Sequence, residues 1–485
     1  MKKLLLLMAS ILLVALTLVH GQSNKLMLEP YTFTNMKGEE VAAELGKFSV
    51  PENRENPTGN SIELQFVRFK STNPNPSFPI VYLAGGPGGS GTGTAKGPRF
   101  ELFMALREVA DVIAFDQRGT GLSNSIPPCN QSTPFALNEP GTQEAYVKHI
   151  KANTKKCLDF WKEQGFDLSG YNTNESADDL EELRKVLGVE KLNLWGISYG
   201  SHLAFAAVKR HPNSWNRIAL AGLEGPDHTI KRPAYNQAFL EYLASKVKAD
   251  PQASKVYPDV LGSMQKVLAK LEVEPVVTKA KHPQTGMEFD VAVSKLDLQL
   301  ATSFFMLKNP QNSKDLPLIY HQLEQGDFST VAPWVGGIKM YAGRVSAMSF
   351  AMDAMSGIST ERWKLIQEEA KTALLGRTTN FPFPDVTAGM GLRDLGDDFR
   401  QNPVSSTPSL FFSGTLDGRT YLPSAKELIK GFENGIHVVI DGAGHDLFLS
   451  TPKVKELLLD FFAEKAVSSQ TIDIPMPIFT LPKNK

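Results

Sequence analysis

Gly196-Ile197-Ser198-Tyr199-Gly200 is the only G-x-S-x-G run in the chain. The apolar run Leu192-Asn193-Leu194-Trp195 precedes it, and a helical stretch over residues 203–208 follows. A serine held between a strand and a helix by glycines at that spacing is a nucleophile elbow. The turn is tight, so a Cβ at either glycine would collide with neighbouring backbone. Ser198 Oγ is then exposed above a sheet, near a helix N-terminus. Serine needs a base whose pKa lies near the working pH, which histidine supplies. Of nine histidines, only His445, in Gly442-Ala443-Gly444-His445-Asp446, follows a predicted sheet strand (438–440) and lies C-terminal to a suitable acid. That acid is Asp417, in Ser413-Gly414-Thr415-Leu416-Asp417-Gly418, after the strand Leu410-Phe411-Phe412. Its role would be to hold the histidine tautomer and stabilise the imidazolium. Glu224 and Asp227, after an earlier strand, are the rival acids. Asp446 is adjacent to the histidine but poorly placed to reach back to its ring.

The order Ser198, Asp417, His445 is that of α/β-hydrolases, not of chymotrypsin or subtilisin. A fourth segment, Gly85-Gly86-Pro87-Gly88-Gly89-Ser90-Gly91, follows the strand Ile80-Val81-Tyr82-Leu83-Ala84. Gly86, Gly88 and Gly91 formally match the dinucleotide pattern G-x-G-x-x-G, which is weak alone. Pro87 and Thr92-Gly93-Thr94 give no helix start, which argues against that pattern. Beside Ser198 the glycine loop instead fits an oxyanion hole, with the backbone N–H groups of Gly86 and Tyr199 as donors. The chain has no H-E-x-x-H and no paired-cysteine motif, so neither metal nor organic cofactor is expected.

Strands that alternate with helices must position these loops. Residues 62–69, 80–84, 112–115, 192–195, 218–221, 410–412 and 438–440 read as strands. Residues 100–110, 203–208 and 454–462 read as helices, as does a stretch opened by Ser176-Ala177-Asp178-Asp179 in the manner of a capping box. The fold class is α/β, a mostly parallel sheet flanked by helices. From 225 to 404 strand signals nearly vanish and helical ones dominate, after which strands resume, so a large, mainly helical cap is inserted. The hydrolase core is expected over 22–224 and 405–466, and an extended surface tail over 467–485. Trp334, Trp363, Phe381 and Phe383 belong either to a cap pocket or to the cap core.

The 485 residues carry 51 Lys plus Arg against 52 Asp plus Glu, so no basic excess marks a nucleic-acid footprint. Lys2 and Lys3, the apolar run 4–19 and the small-residue site near Gly21 predict a signal peptide over 1–21, hence an exported, periplasmic or secreted protein without a stable membrane anchor. Cys129 and Cys157 are the only cysteines. Export permits a disulfide between them, and a pair of free buried thiols is the alternative.

Gly85-Gly86-Pro87-Gly88-Gly89, Asp116-Gln117-Arg118-Gly119-Thr120-Gly121-Leu122-Ser123 and the Ser198 elbow together resemble the prolyl aminopeptidase (proline iminopeptidase) family. Val50-Pro51-Glu52-Asn53-Arg54, the leader and the two cysteines are similar to its larger secreted tripeptidyl-aminopeptidase branch. The likeness covers about 45–225 and 405–465. It departs at Ala84, where family members commonly have histidine, and in the insertion, which matches the family's cap only in character. Asp116 and Arg118 are expected to form a structural ion pair. The resemblance implies an aminopeptidase acting on short peptides with a free N-terminus, whose α-amine is held by cap or rim carboxylates. Glu224 is the candidate anchor, or else satisfies backbone N–H groups at the core–cap junction. An esterase using the same triad is the alternative function.

Overall fold

A computed structural model describes residues 25–482 apart from 57, 283, 284 and 308. The leader expected over 1–21 lies outside the described residues. Ten strands form one sheet: β1 Met27–Thr34, β2 Glu40–Pro51, β3 Ser61–Phe69, β4 Ser77–Leu83, β5 Ala110–Asp116, β6 Leu192–Ser198, β7 Trp215–Leu223, and, beyond a hairpin of β8 Val276–Lys281 and β9 Glu288–Val293, β10 Ser409–Gly414, β11 Gly435–Asp441 and β12 Gln470–Asp473. The sheet order is β1-β2-β3-β5-β4-β6-β7-β10-β11-β12. The pairs from β5 through β12 are parallel, and β1, β2 and β3 extend the sheet antiparallel.

The central strands are apolar on both faces because helices cover both. Along β4, Val81 and Leu83 join one core with the Thr173–Val186 and Tyr199–Arg210 helices. Ile80 and Tyr82 join the other, with Trp195, Phe412 and the Pro452–Phe462 helix. Period-two alternation thus feeds two cores from one strand.

Two expectations need correction and two gain detail. The Thr173–Val186 helix starts three residues before Ser176, because Asn172 caps it by accepting from Glu175 N at 3.0 Å. A helix does start after the glycine loop, over Gly91–Lys96, capped by Ser90 on Gly93 N at 2.8 Å. The cap holds the β8–β9 hairpin as well as helices. The tail is not simply extended: β12 pairs with β11, Phe479 is buried, and Thr480 O accepts from Tyr257 Oη on the cap.

The cap has its own core, built on Leu243, Met264, Leu268, Leu298, Tyr320 and Val335. Part of the segment before β6 joins it: Ala292 N donates to Leu137 O, and Tyr146 Oη to Asp297 at 2.6 Å. Trp334 stacks on Phe305, Trp363 lies under the Arg377 guanidinium, and Phe383 packs on Phe350. Phe381 lines a cavity of about 410 Å³ in the cap. Among the described residues no helix is long and apolar enough to cross a membrane.

Candidate active site

Ser198 ends β6 and immediately precedes the Tyr199–Arg210 helix, with φ 58° and ψ −127°. A non-glycine residue in the left-handed region costs on the order of 1–3 kcal/mol and persists only where its surroundings enforce it. Here they do: a Cβ on Gly200 would stand 2.1 Å from Leu83 O, and one on Gly196 2.9 Å from Gly200 O. Ser201 Oγ donates to Ser198 O at 2.6 Å and ties the turn down from inside the helix.

Asp417 follows β10 and His445 follows β11, so parallel neighbours bring their loops to the same edge of the sheet. His445 Nδ1 lies 3.0 Å from both carboxylate oxygens of Asp417. Asp417 is buried and also accepts from Arg419 N, Thr420 N and Thr420 Oγ1 at 2.8, 2.9 and 2.6 Å. Burial alone would raise its pKa; the facing His445 and the Thr420 donors outweigh it and hold the carboxyl below its ordinary value. With Nδ1 engaged, the Nε2 of His445 is the nitrogen left to accept a proton. Ser198 is in register with Leu223 of β7. Beside it, Gly222 backs onto the imidazole, where a Cβ would stand 3.2 Å from His445 Cε1.

The glycine loop lies against Ser198. A Cβ on Gly85 would meet Ser198 Cβ at 3.0 Å and Ile197 O at 2.9 Å. Gly86 has φ +133°. Tyr199 is the first residue of its helix, so its N–H is one of the donors that a helix start leaves unpaired. Asp116 fastens the loop: its carboxylate accepts from Ser90 Oγ, Thr92 N, Thr92 Oγ1 and Leu122 N at 2.6–3.0 Å. Asp116 and Arg118 therefore do not pair with each other. Asp116 is consumed by four local donors, and Arg118 points away to a buried Asp179, at 2.7 Å from both Nε and Nη2.

Glu224 is buried after β7, and its carboxylate accepts from Lys231 Nζ at 2.7 Å. Neither an amine anchor nor a cap for backbone N–H groups involves this lysine, whose pairing with Glu224 is made by the fold. Nearby stands Asp353, on the cap helix Ala347–Ser356. Its carboxyl has no ion pair or hydrogen bond among the described residues, yet burial pushes it up to about 8, with the Glu224 charge adding to the rise and Lys231 opposing it. Asp353 itself is half-buried. The same helix touches the elbow from above. Ser349 Oγ donates to Pro87 O at 2.6 Å, Met352 Sδ lies 2.9 Å from Tyr199 Oη, and Ser356 Oγ lies 3.1 Å from His202 Nε2. Since His202 Nδ1 faces the carbonyl of Gly225 at 3.0 Å, that nitrogen carries the proton and Nε2 accepts. Cys129 and Cys157 form a disulfide that ties the loop after β5 to the Gln143–Glu163 helix.

Residues 79–268 match the family model described as the α/β hydrolase fold. Serine protease Hip1 of Mycobacterium tuberculosis is 30% identical over 234 residues, 44% of this chain and 44% of its own. Tripeptidyl aminopeptidase of Streptomyces coelicolor is 28% identical over 192 residues, 37% of this chain and 35% of its own. Proline iminopeptidase of Neisseria meningitidis is 25% identical over 154 residues, 32% of this chain and 35% of its own. The matched part thus spans less than half the length of each of these relatives. The parallel sheet, the strand–serine–helix elbow and these likenesses agree: the chain has the α/β-hydrolase fold, and the relatives it resembles carry peptidase names.

Proposed function

We propose that the protein is an exported serine aminopeptidase that releases N-terminal residues, proline or short peptides, from small peptides. Ser198 Oγ attacks the scissile carbonyl while His445 Nε2 takes its proton. Asp417 keeps the imidazole in the Nδ1–H tautomer and stabilises the imidazolium. The N–H groups of Gly86 and Tyr199 receive the developing oxyanion; losing one such donor typically costs about 3 kcal/mol in the barrier. His445 then protonates the leaving amine, and water hydrolyses the acyl-enzyme by the same base.

The observation that carries a peptidase with a free-amine requirement, over an esterase, is Asp353. An unpartnered carboxyl on the cap helix beside an already paired Glu224 suits an incoming ammonium, whose charge would favour the carboxyl's ionised form. It takes the anchor role first given to Glu224, whose charge is engaged by Lys231. An ester substrate brings no cation to such a group.

The test compares a short peptidyl p-nitroanilide with its N-acetylated counterpart, using Ser198→Ala as the blank. The proposal expects turnover of the free amine and a loss of at least about tenfold in kcat/KM on acetylation, the scale of one lost charged hydrogen bond. Equal turnover of both would favour the esterase reading, and full activity of Ser198→Ala would end both.

A further inference from the structure

Arg419 lies two residues after Asp417. Its backbone N–H serves the Asp417 carboxylate, but its guanidinium has neither a carboxylate within 4 Å nor a hydrogen-bond acceptor among the described residues. The other arginines there reach a carboxylate within 4 Å, apart from Arg107, which donates to Lys70 O, and the exposed Arg344. Arg419 is not on open surface either. Burial pushes its pKa below the ordinary arginine value, although Tyr421 and Asp417 pull it upward. Asp417 cannot satisfy it, being committed to His445, Thr420 and the Arg419 backbone.

A half-buried cation without an anion is under-compensated, and a ligand that brings the anion removes that cost. The surroundings keep the guanidinium ready for one. Its carbon stands 5.4 Å from the centroid of the Phe304 ring, a cation–π contact that uses none of its N–H donors. Phe304 is 38% exposed, so the pair borders solvent. The cap segment that carries Phe304 closes directly on the catalytic loop: a Cβ on Gly418 would stand 2.2 Å from Leu307 O.

Position decides which half of the substrate Arg419 meets. The loop after β10 holds the partner of His445, and His445 hands its proton to the leaving amine, so the departing half lies on this side. Glu224 and Asp353 stand elsewhere, at the end of β7 and on the Ala347–Ser356 helix, where the N-terminal half would be held.

We propose that Arg419 forms a carboxylate-recognition subsite for the departing half of the substrate. The carboxylate is either the C-terminus of a short peptide or an acidic side chain next to the scissile bond. A planar guanidinium takes a carboxylate through two parallel hydrogen bonds, which suits both. This inference rests on the aminopeptidase reading and gives it a preference for substrates that carry a carboxylate on the departing half.

The experiment uses the full chain and four tetrapeptides with free N-termini: C-terminal acid or amide, each with alanine or aspartate just after the cleaved bond. A neutral p-nitroanilide reports the parent reading separately. Wild-type enzyme should favour the acid over the amide, or aspartate over alanine, by on the order of tenfold in kcat/KM. Which ratio departs from one identifies the carboxylate. Arg419→Met should bring that ratio near one, and Arg419→Lys should retain part of it. Both ratios near one in wild type, or a ratio unchanged in Arg419→Met, overturns the subsite alone. Failure to cleave the anilide and all four peptides overturns the parent reading and the subsite with it.

Discussion

Ser349 Oγ donates a 2.6 Å hydrogen bond to the carbonyl of Pro87, joining a cap helix to the loop that carries Gly86. The Pro87–Gly88 peptide is thereby held in one orientation, and Gly88 packs so closely that a Cβ there would stand 2.9 Å from Ser349 Oγ. The cap is thus built into the glycine loop as well as roofing it. Ser349→Ala should lower kcat by about tenfold, the equivalent of one neutral hydrogen bond, while KM moves by less than about twofold. Ser349→Thr, which keeps the hydroxyl, should recover much of the loss. Steady-state kinetics on a peptidyl anilide check this, and a change confined to KM would contradict it.

Asp353 couples the site to pH. Its folded pKa of about 8 lies above the ordinary aspartate value, so between the two the native state keeps a proton that the unfolded chain has released. Its contribution is therefore fully present at about pH 4 and is lost as pH rises through about 8. Asp353→Asn removes that loss. The variant should melt above wild type near pH 8–9, with the gap closing toward pH 5, while its KM for free-amine substrates rises. Parallel melting-temperature profiles for the two proteins would contradict the assignment.

The Cys129–Cys157 bridge closes a loop of sequence separation 28. Constraining a loop of that size contributes about 3 kcal/mol in the chain-entropy account. Reduction, or the double replacement Cys129→Ser with Cys157→Ser, should lower the melting temperature by several degrees. Calorimetry with and without reductant checks it, and identical transitions would contradict it.

The parallel strands and the loops after them were legible because the candidate site residues sit at their ends. β4, β6, β10 and β11 are short apolar runs, and the glycine loop, Ser198, Asp417 and His445 follow each in turn. β1 escaped notice because it lies at the sheet edge, and Glu29 and Pro30 interrupt any apolar period. The β8–β9 hairpin escaped for a like reason, with Val277 and Lys279 facing outward. The Asp116–Arg118 pairing failed because the two side chains diverge within the turn, Asp116 toward the Ser90–Thr92 loop and Leu122, Arg118 toward Asp179. Ser349, Asp353 and Arg419 carry no local pattern at all. Their meaning depends on contacts made after folding, such as the 262-residue separation between Ser349 and Pro87.

Labelling with a fluorophosphonate, followed by peptide mass mapping, tests the central claim most directly. The geometry of Ser198, His445 and Asp417 predicts one adduct per chain, on Ser198, absent in Ser198→Ala and strongly slowed in His445→Ala. No adduct in the wild-type protein, or an adduct undiminished in Ser198→Ala, would contradict it.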